Sequence, residues 1–168
     1  MAMHTWFECK IRYEKTMENG MNKKVTEPYL VDALSFTEAE ARIIEEMTPF
    51  ISGEFTVSDI KRANYSELFP CEEEAADRWF KCKLVFITLD EKSGAEKKTS
   101  TQVLVQAADL RDAVKKLDEG MKGTMADYQI ASVAETAIMD VYPYSAEERT
   151  IDSIGENANS PVVRNFIQ

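Results

Sequence analysis

The word WFECK at residues 6–10 returns as WFKCK at residues 79–83. A repeat at a fixed period comes before any assignment of elements, because it sets the size of the structural unit. Working outward, Tyr29-Leu30-Val31 matches Val103-Leu104-Val105, Met47 matches Met121, and Phe69-Pro70 matches Tyr142-Pro143. The offset is 73 at the repeated word, 74 through the following helical stretch, and 73 again afterwards. Both changes of offset fall in loops, as a duplication would leave them. The chain therefore reads as a first unit at 1–70, a second at 71–143 and a polar segment at 144–168. A unit of about 70 residues buries little core by itself. The two are expected to pack on each other about a pseudo-twofold axis rather than hang as separate domains from the acidic connector at 70–77 (PCEEEAAD).

Within the first unit, Phe7, Cys9, Ile11 and Tyr13 alternate with Trp6, Glu8, Lys10 and Arg12. A period of two marks a half-buried strand. Residues 15–24, containing Asn19-Gly20, form a turn, and a return strand runs over 25–33, with Pro28 marking an edge or a bulge. Ser35 and Glu38 have the spacing of a helix capping box. Ala39, Ile43, Met47 and Phe50 follow at helical spacing, and Pro49 and Gly53 end the helix. From 54 to 69 the apolar residues change parity between Val57 and Ile60, which predicts one long, bent third strand with a bulge. The second unit repeats the series: a strand over 79–89, a return over 99–107, and a helix capped by Asp109 and carrying Leu110, Ala113, Leu117 and Met121. A long third strand over 128–142 completes it. The expected fold class is α+β, two ββαβ units in which each helix covers one face of an antiparallel sheet.

Composition narrows the function. The net charge is −10 over 168 residues. It is evenly spread, with 8 basic and 12 acidic groups in the first unit, 10 and 14 in the second. General duplex binding, which rests on many phosphate contacts, is disfavoured. Three cysteines without close spacing point to neither a disulfide framework nor a zinc site. No apolar run is long enough for a membrane span, and the start has no apolar leader core. The expected location is a reducing cytoplasm.

Residues that carry chemistry are few. His4 is the single histidine and sits near the start, where it anchors no triad. Cys9 and Cys82 fall at matched positions on the apolar strand faces and read as small core residues. Phosphate-binding, nucleophile-elbow and zinc-protease motifs are all missing. No catalytic residue, cofactor or metal ligand is therefore assigned. The more suggestive pattern lies on the other strand faces, where Trp6 stands with Lys10 and Arg12, and Trp79 with Lys81 and Lys83. Indoles flanked by cations can hold single-stranded nucleic acid. Burial of both indoles between the units explains the same repetition, and Val85 and Ile87, which share the Trp79 face, favour burial.

The runs WFECKIRYEK, YLVDALSFTEAEARI and FKCKLVFITLDEKSGAEKK together resemble a family of bacterial proteins that share a domain of unknown function. The resemblance extends to about Tyr144. It implies a compact bacterial protein and brings no activity, cofactor or site residue with it. The expected function is a non-enzymatic binding or scaffolding module that contacts protein, either itself or another chain. Single-stranded nucleic acid is the alternative partner, and no membrane partner is expected.

Overall fold

The computed structural model describes residues 5–144; His4 and the segment 145–168 lie outside them. Strand β1 (Trp6–Thr16) and strand β2 (Asn22–Asp32) form an antiparallel hairpin, with Phe7 opposite Val31 and Thr16 opposite Asn22. The loop between them is shorter than the polar stretch suggests. Met17 N–H donates to the Met21 carbonyl at 2.8 Å, and Gly20 takes φ +83°, a left-handed value open to glycine without steric cost. Helix α1 (Phe36–Met47) starts at Ser35, whose hydroxyl accepts from Glu38 N–H at 3.1 Å. The Glu38 carboxylate reaches back to the N–H of Leu34, one residue before the cap. Ala39, Ile43 and Met47 are buried against Phe7, Cys9 and Ile11. Phe50 lies beyond the helix and is 75% exposed, so it takes no part in the apolar stripe that spacing assigned to it.

Strand β3 (Phe55–Ala63) pairs antiparallel with β1. The register slips between Lys10 and Ile11, whose partners are Asp59 and Val57, so that Ser58 is the extra residue of a bulge. This is the parity change visible between Val57 and Ile60. The chain then leaves the sheet. Strand β4 (Glu67–Phe69) is a separate element, which corrects the expectation of one long third strand. The second unit follows with β5 (Arg78–Leu89), β6 (Glu96–Ala107), helix α2 (Leu110–Gly120), β7 (Asp127–Glu135) and β8 (Val141–Tyr142). Asp109 caps α2 by accepting from Asp112 N–H at 2.8 Å. Leu117 and Met121 pack on Phe80, Cys82 and Leu84. Ala131 is the bulge residue matching Ser58, since Lys83 faces Ser132 and Leu84 faces Ile130.

The short strands β4 and β8 are exchanged between the units. The two sheets have the orders β3-β1-β2-β8 and β4-β6-β5-β7. β4, at the end of the first unit, runs parallel to β6 of the second, with Leu68 opposite Leu104 and Phe69 opposite Val105. β8, at the end of the second, runs parallel to β2 of the first, with Leu30 opposite Val141 and Val31 opposite Tyr142. Each unit thus completes the other's sheet. Helix cations at matched positions hold the chain where it leaves each exchanged strand: Arg42 donates to the Tyr142 and Pro143 carbonyls at 3.4 and 3.5 Å, and Lys116 pairs with Glu73 at 3.1 Å. Pro28 sits where β2 is an outer strand over most of its length. Its carbonyl accepts from Met139 N–H at 2.9 Å on the outer side, where the missing proline N–H leaves no ladder bond unmade.

A third core fills the junction. Trp6, Leu30, Trp79, Leu104 and Ile138 are all buried there, with Tyr65, Leu68 and Val141 packed against them. These are matched pairs: Trp6 with Trp79, Leu30 with Leu104, Tyr65 with Ile138, and Leu68 with Val141. The strand faces that turn away from the helices meet at this end of each sheet. Burying one such large side chain contributes about 1.5–3 kcal/mol.

Candidate functional site

The six residues singled out by sequence separate into two groups. Trp6 and Trp79 are 3% and 4% exposed, inside the junction core. Lys10 is half-buried, and Arg12, Lys81 and Lys83 are exposed on the faces of β1 and β5 that turn away from the helices. The structure brings the two indoles together, and neither presents a ring face on which a base could stack.

Those helix-distal faces differ between the units. In the first, charges are partly matched across strands: Glu8 lies opposite Lys61 and Lys10 opposite Asp59, while Arg12 lies opposite Thr56. Cross-strand pairs of opposite sign stabilise a sheet face and neutralise it. In the second, Lys81 lies opposite Ala134 and Lys83 opposite Ser132. Where the first unit has the carboxylates of Glu8 and Asp59, the matched positions of the second hold Lys81 and Ser132. None of Lys10, Lys61, Lys81 and Lys83 comes within ion-pair distance of a carboxylate among the described residues, so the difference between the faces lies in which residues stand across the strand. Val85 and Ile87, half-buried, continue the same face toward the hairpin tip.

The sheet edges differ as well. An outer strand offers a row of unmatched N–H and C=O groups, and lysines along it discourage adventitious pairing. The open length of β2 carries Lys23 and Lys24, that of β6 carries Lys97 and Lys98, and β3 carries Lys61 and Arg62. β7 has no cation. Its charges are Asp127 and Glu135 at the two ends, and Tyr128–Ala134 between them is uncharged and free of proline. Among the described residues β7 pairs only with β5. Sequence reasoning passed over this edge, although nine strand residues without lysine, arginine or proline were the available signal.

The thiols are placed for packing. Cys9 and Cys82 are fully buried. Burial, reinforced by the Glu8, Asp59 and Glu40 carboxylates, pushes the Cys9 thiol up to about 12. Burial alone takes Cys82 to about 11. A thiol that stays protonated at neutral pH is neither a good nucleophile nor a ready metal ligand. Cys71 is half-buried, and its backbone N–H donates to Gln106 Oε1 at 2.8 Å. Among the described residues no group of three or more His, Cys, Asp or Glu side chains is placed to hold a metal ion. A cavity of about 470 Å³ beside the first hairpin is lined by Arg12, Tyr13, Lys24, Glu54 and Phe55; it joins no nucleophile to a base. No described helix is long and apolar enough to cross a membrane.

Residues 5–144 match the family described as "Domain of unknown function (DUF4494)". The chain belongs to this family. The match ends with the last described residue, so it spans both units and both exchanged strands. Among curated proteins, none matches the chain. Membership of DUF4494 transfers no activity to any residue, and the reading of function rests on the surfaces above.

Proposed function

We propose that this protein is a non-enzymatic protein-binding module that receives a partner segment as an added strand on the open edge of β7. The observation that supports this reading is the bare, cation-free edge from Tyr128 to Ala134, longer than the two- and three-residue outer strands β8 and β4, whereas β3 and the open lengths of β2 and β6 carry lysines or arginines. Strand addition draws affinity from main-chain hydrogen bonds and specificity from alternate side chains. The fold already uses this mode of pairing internally, since β4 and β8 are short strands added to the edges of β6 and β2. Burial of both indoles removes the stacking platform on which the nucleic-acid alternative relied. Three free thiols fit a reducing compartment, and we place the protein in the cytoplasm on that ground.

The test is a pull-down from the native host with the wild-type chain and with the double variant Gln129→Lys, Ala134→Lys, each with and without nuclease. Both positions are exposed on the helix-distal face, so the variant is expected to fold normally, which circular dichroism checks. A protein partner that survives nuclease and is lost from the lysine variant supports the reading. Retention of every partner by the variant, or loss of all partners with nuclease, refutes it.

A further inference from the structure

Duplication supplies an internal control for the surface next to this edge. In the first unit, two of the three cations on this face have a carboxylate across the strand, Lys10 opposite Asp59 and Lys61 opposite Glu8, while Arg12 stands opposite Thr56. In the second, the matched places hold Lys81 opposite Ala134 and Lys83 opposite Ser132. Over these four matched positions the first unit carries two carboxylates and two lysines, and the second two lysines with Ser132 and Ala134, so the local sum goes from 0 to +2; the residues on β7 between these lysines and open space are small and exposed. This is a local reversal of sign on a chain whose net charge is −10. Carboxylates stand across from lysines beside the edge that carries Lys61 and Arg62, and small uncharged residues stand across from them beside the bare edge.

Geometry relates the two features. Adjacent strands lie about 4.8 Å apart, so a strand added beyond β7 would run about 10 Å from β5. Ala134 and Ser132 do not fill that interval above the sheet, and a lysine's four-carbon stem with its ammonium can lean across them. On the opposite face the same added strand would lie next to Tyr128, Ile130 and Val133, all half-buried on the apolar helix side. A strand's side chains alternate between faces. The complementary segment would therefore alternate acidic residues, toward Lys81 and Lys83, with apolar ones, toward Ile130 and Val133.

Resting on the strand-addition reading above, we infer that the second unit's edge is specific for an extended segment in which acidic and apolar residues alternate, with Lys81 and Lys83 as the residues that read its charge. Lys10, at the position matching Lys83, has Asp59 across the strand and lies in the other sheet, so it contributes nothing to this recognition.

The probe is a fluorescein-labelled peptide of alternating glutamate and valine, about ten residues long and so longer than the strand it would meet, titrated against the full chain by fluorescence anisotropy. Three control ligands accompany it: the peptide with lysine for glutamate, the peptide with alternate backbone amides N-methylated, and a single-stranded oligonucleotide of equal charge. Expected are saturable binding of the glutamate peptide and no measurable binding of the lysine peptide. Affinity should fall about tenfold or more in Lys81→Ala, Lys83→Ala, as when close charge pairs are removed from an interface. It should be unchanged in Lys10→Ala and lost on N-methylation. Absence of glutamate-peptide binding, or equal binding of the lysine peptide, overturns the inference. If N-methylation abolishes binding but charge has no effect, strand addition stands and the acidic partner class falls. If N-methylation has no effect, or the oligonucleotide displaces the peptide at lower concentration, the lysines serve a polyanion and strand addition fails with them.

Discussion

Replacing Gly120 by alanine sets two physical effects against each other. Gly120 is the last residue of α2. In a helix interior glycine is worse than alanine by about 0.8–1.0 kcal/mol, so propensity alone predicts that Gly120→Ala stabilises the protein, by at most that amount at a terminal position. The structure predicts the opposite sign. A Cβ built on Gly120 would lie 2.8 Å from Cδ1 and 2.8 Å from Cε1 of Phe69, and 3.2 Å from its Cγ. Phe69 belongs to the exchanged strand β4, is held in register with Val105 and packs against the second core, so its ring cannot withdraw without loosening that strand. Forcing a methyl group into such a contact costs about 1–3 kcal/mol. The net expectation is destabilisation of about 0–2 kcal/mol once the full propensity gain is deducted. For a chain of this size that lowers Tm by about 2–4 °C per kcal/mol. Urea unfolding followed by circular dichroism measures it. The decisive comparison is the same substitution in a Phe69→Ala background, where the clash is gone and Gly120→Ala should turn stabilising. Stabilisation by Gly120→Ala in the wild-type chain, or an equal effect in both backgrounds, would refute the claim that β4 is seated on α2.

Three further outcomes are expected. Ile43→Ala and Leu117→Ala should each lower stability by about 2–5 kcal/mol, since both side chains are fully buried under their helices; a change below about 1 kcal/mol in urea titration would place the stripe elsewhere. Trp79→Ala should cost about 3–5 kcal/mol, and both indoles of the native protein should be weakly quenched by acrylamide, because Trp6 and Trp79 are enclosed in the junction. Cys9 and Cys82 give a pH signature: burial pushes their thiols up to about 12 and about 11, above the ordinary thiol value of 9.0. The unfolded chain then releases protons that the folded chain keeps. Stability is intact below pH 9 and falls as pH rises from 9 toward 11–12, by up to about 1.4 kcal/mol per pH unit for each thiol. Denaturant midpoints across pH 8–11 report it, and a thiol reagent at pH 8 should modify Cys71 well before the other two.

Much of the fold was legible because its determinants are local. Alternation placed Phe7, Cys9 and Ile11 on one face, the Ser35 and Asp109 caps marked the helix starts, and the parity change between Val57 and Ile60 located the bulge at Ser58. The exchange of β4 and β8 was not legible. Leu68 and Phe69 continue a strand-like pattern whichever sheet they join, and their pairing with Leu104 and Val105 is decided by contacts across the chain. Phe50 misled because helical spacing continues past Met47, where the helix has already ended. The surface was half legible. The lysines and indoles could be named, but their separation depends on the start of β1 and β5 being covered on both faces. Trp6 beside Phe7, and Trp79 beside Phe80, carried that signal: adjacent large apolar residues in a strand need a partner on each side.

The reciprocal exchange of strands has a consequence for ancestry. A half-length ancestor ending in the β4 sequence would have carried a strand with no place in its own sheet, and an edge at β2 waiting for one. A second copy would have supplied both needs at once, through a symmetric interface in which each subunit lends what it borrows. Such a pairing depends on concentration. Joining the copies end to end through residues 70–77 makes it intramolecular, with a fixed effective concentration. A gene fused in this way would be released from symmetry. Where assembly does not require the halves to be identical, one face can carry Glu8 and Asp59 while the other carries Lys81 and Ser132, which no homodimer of a single sequence can do.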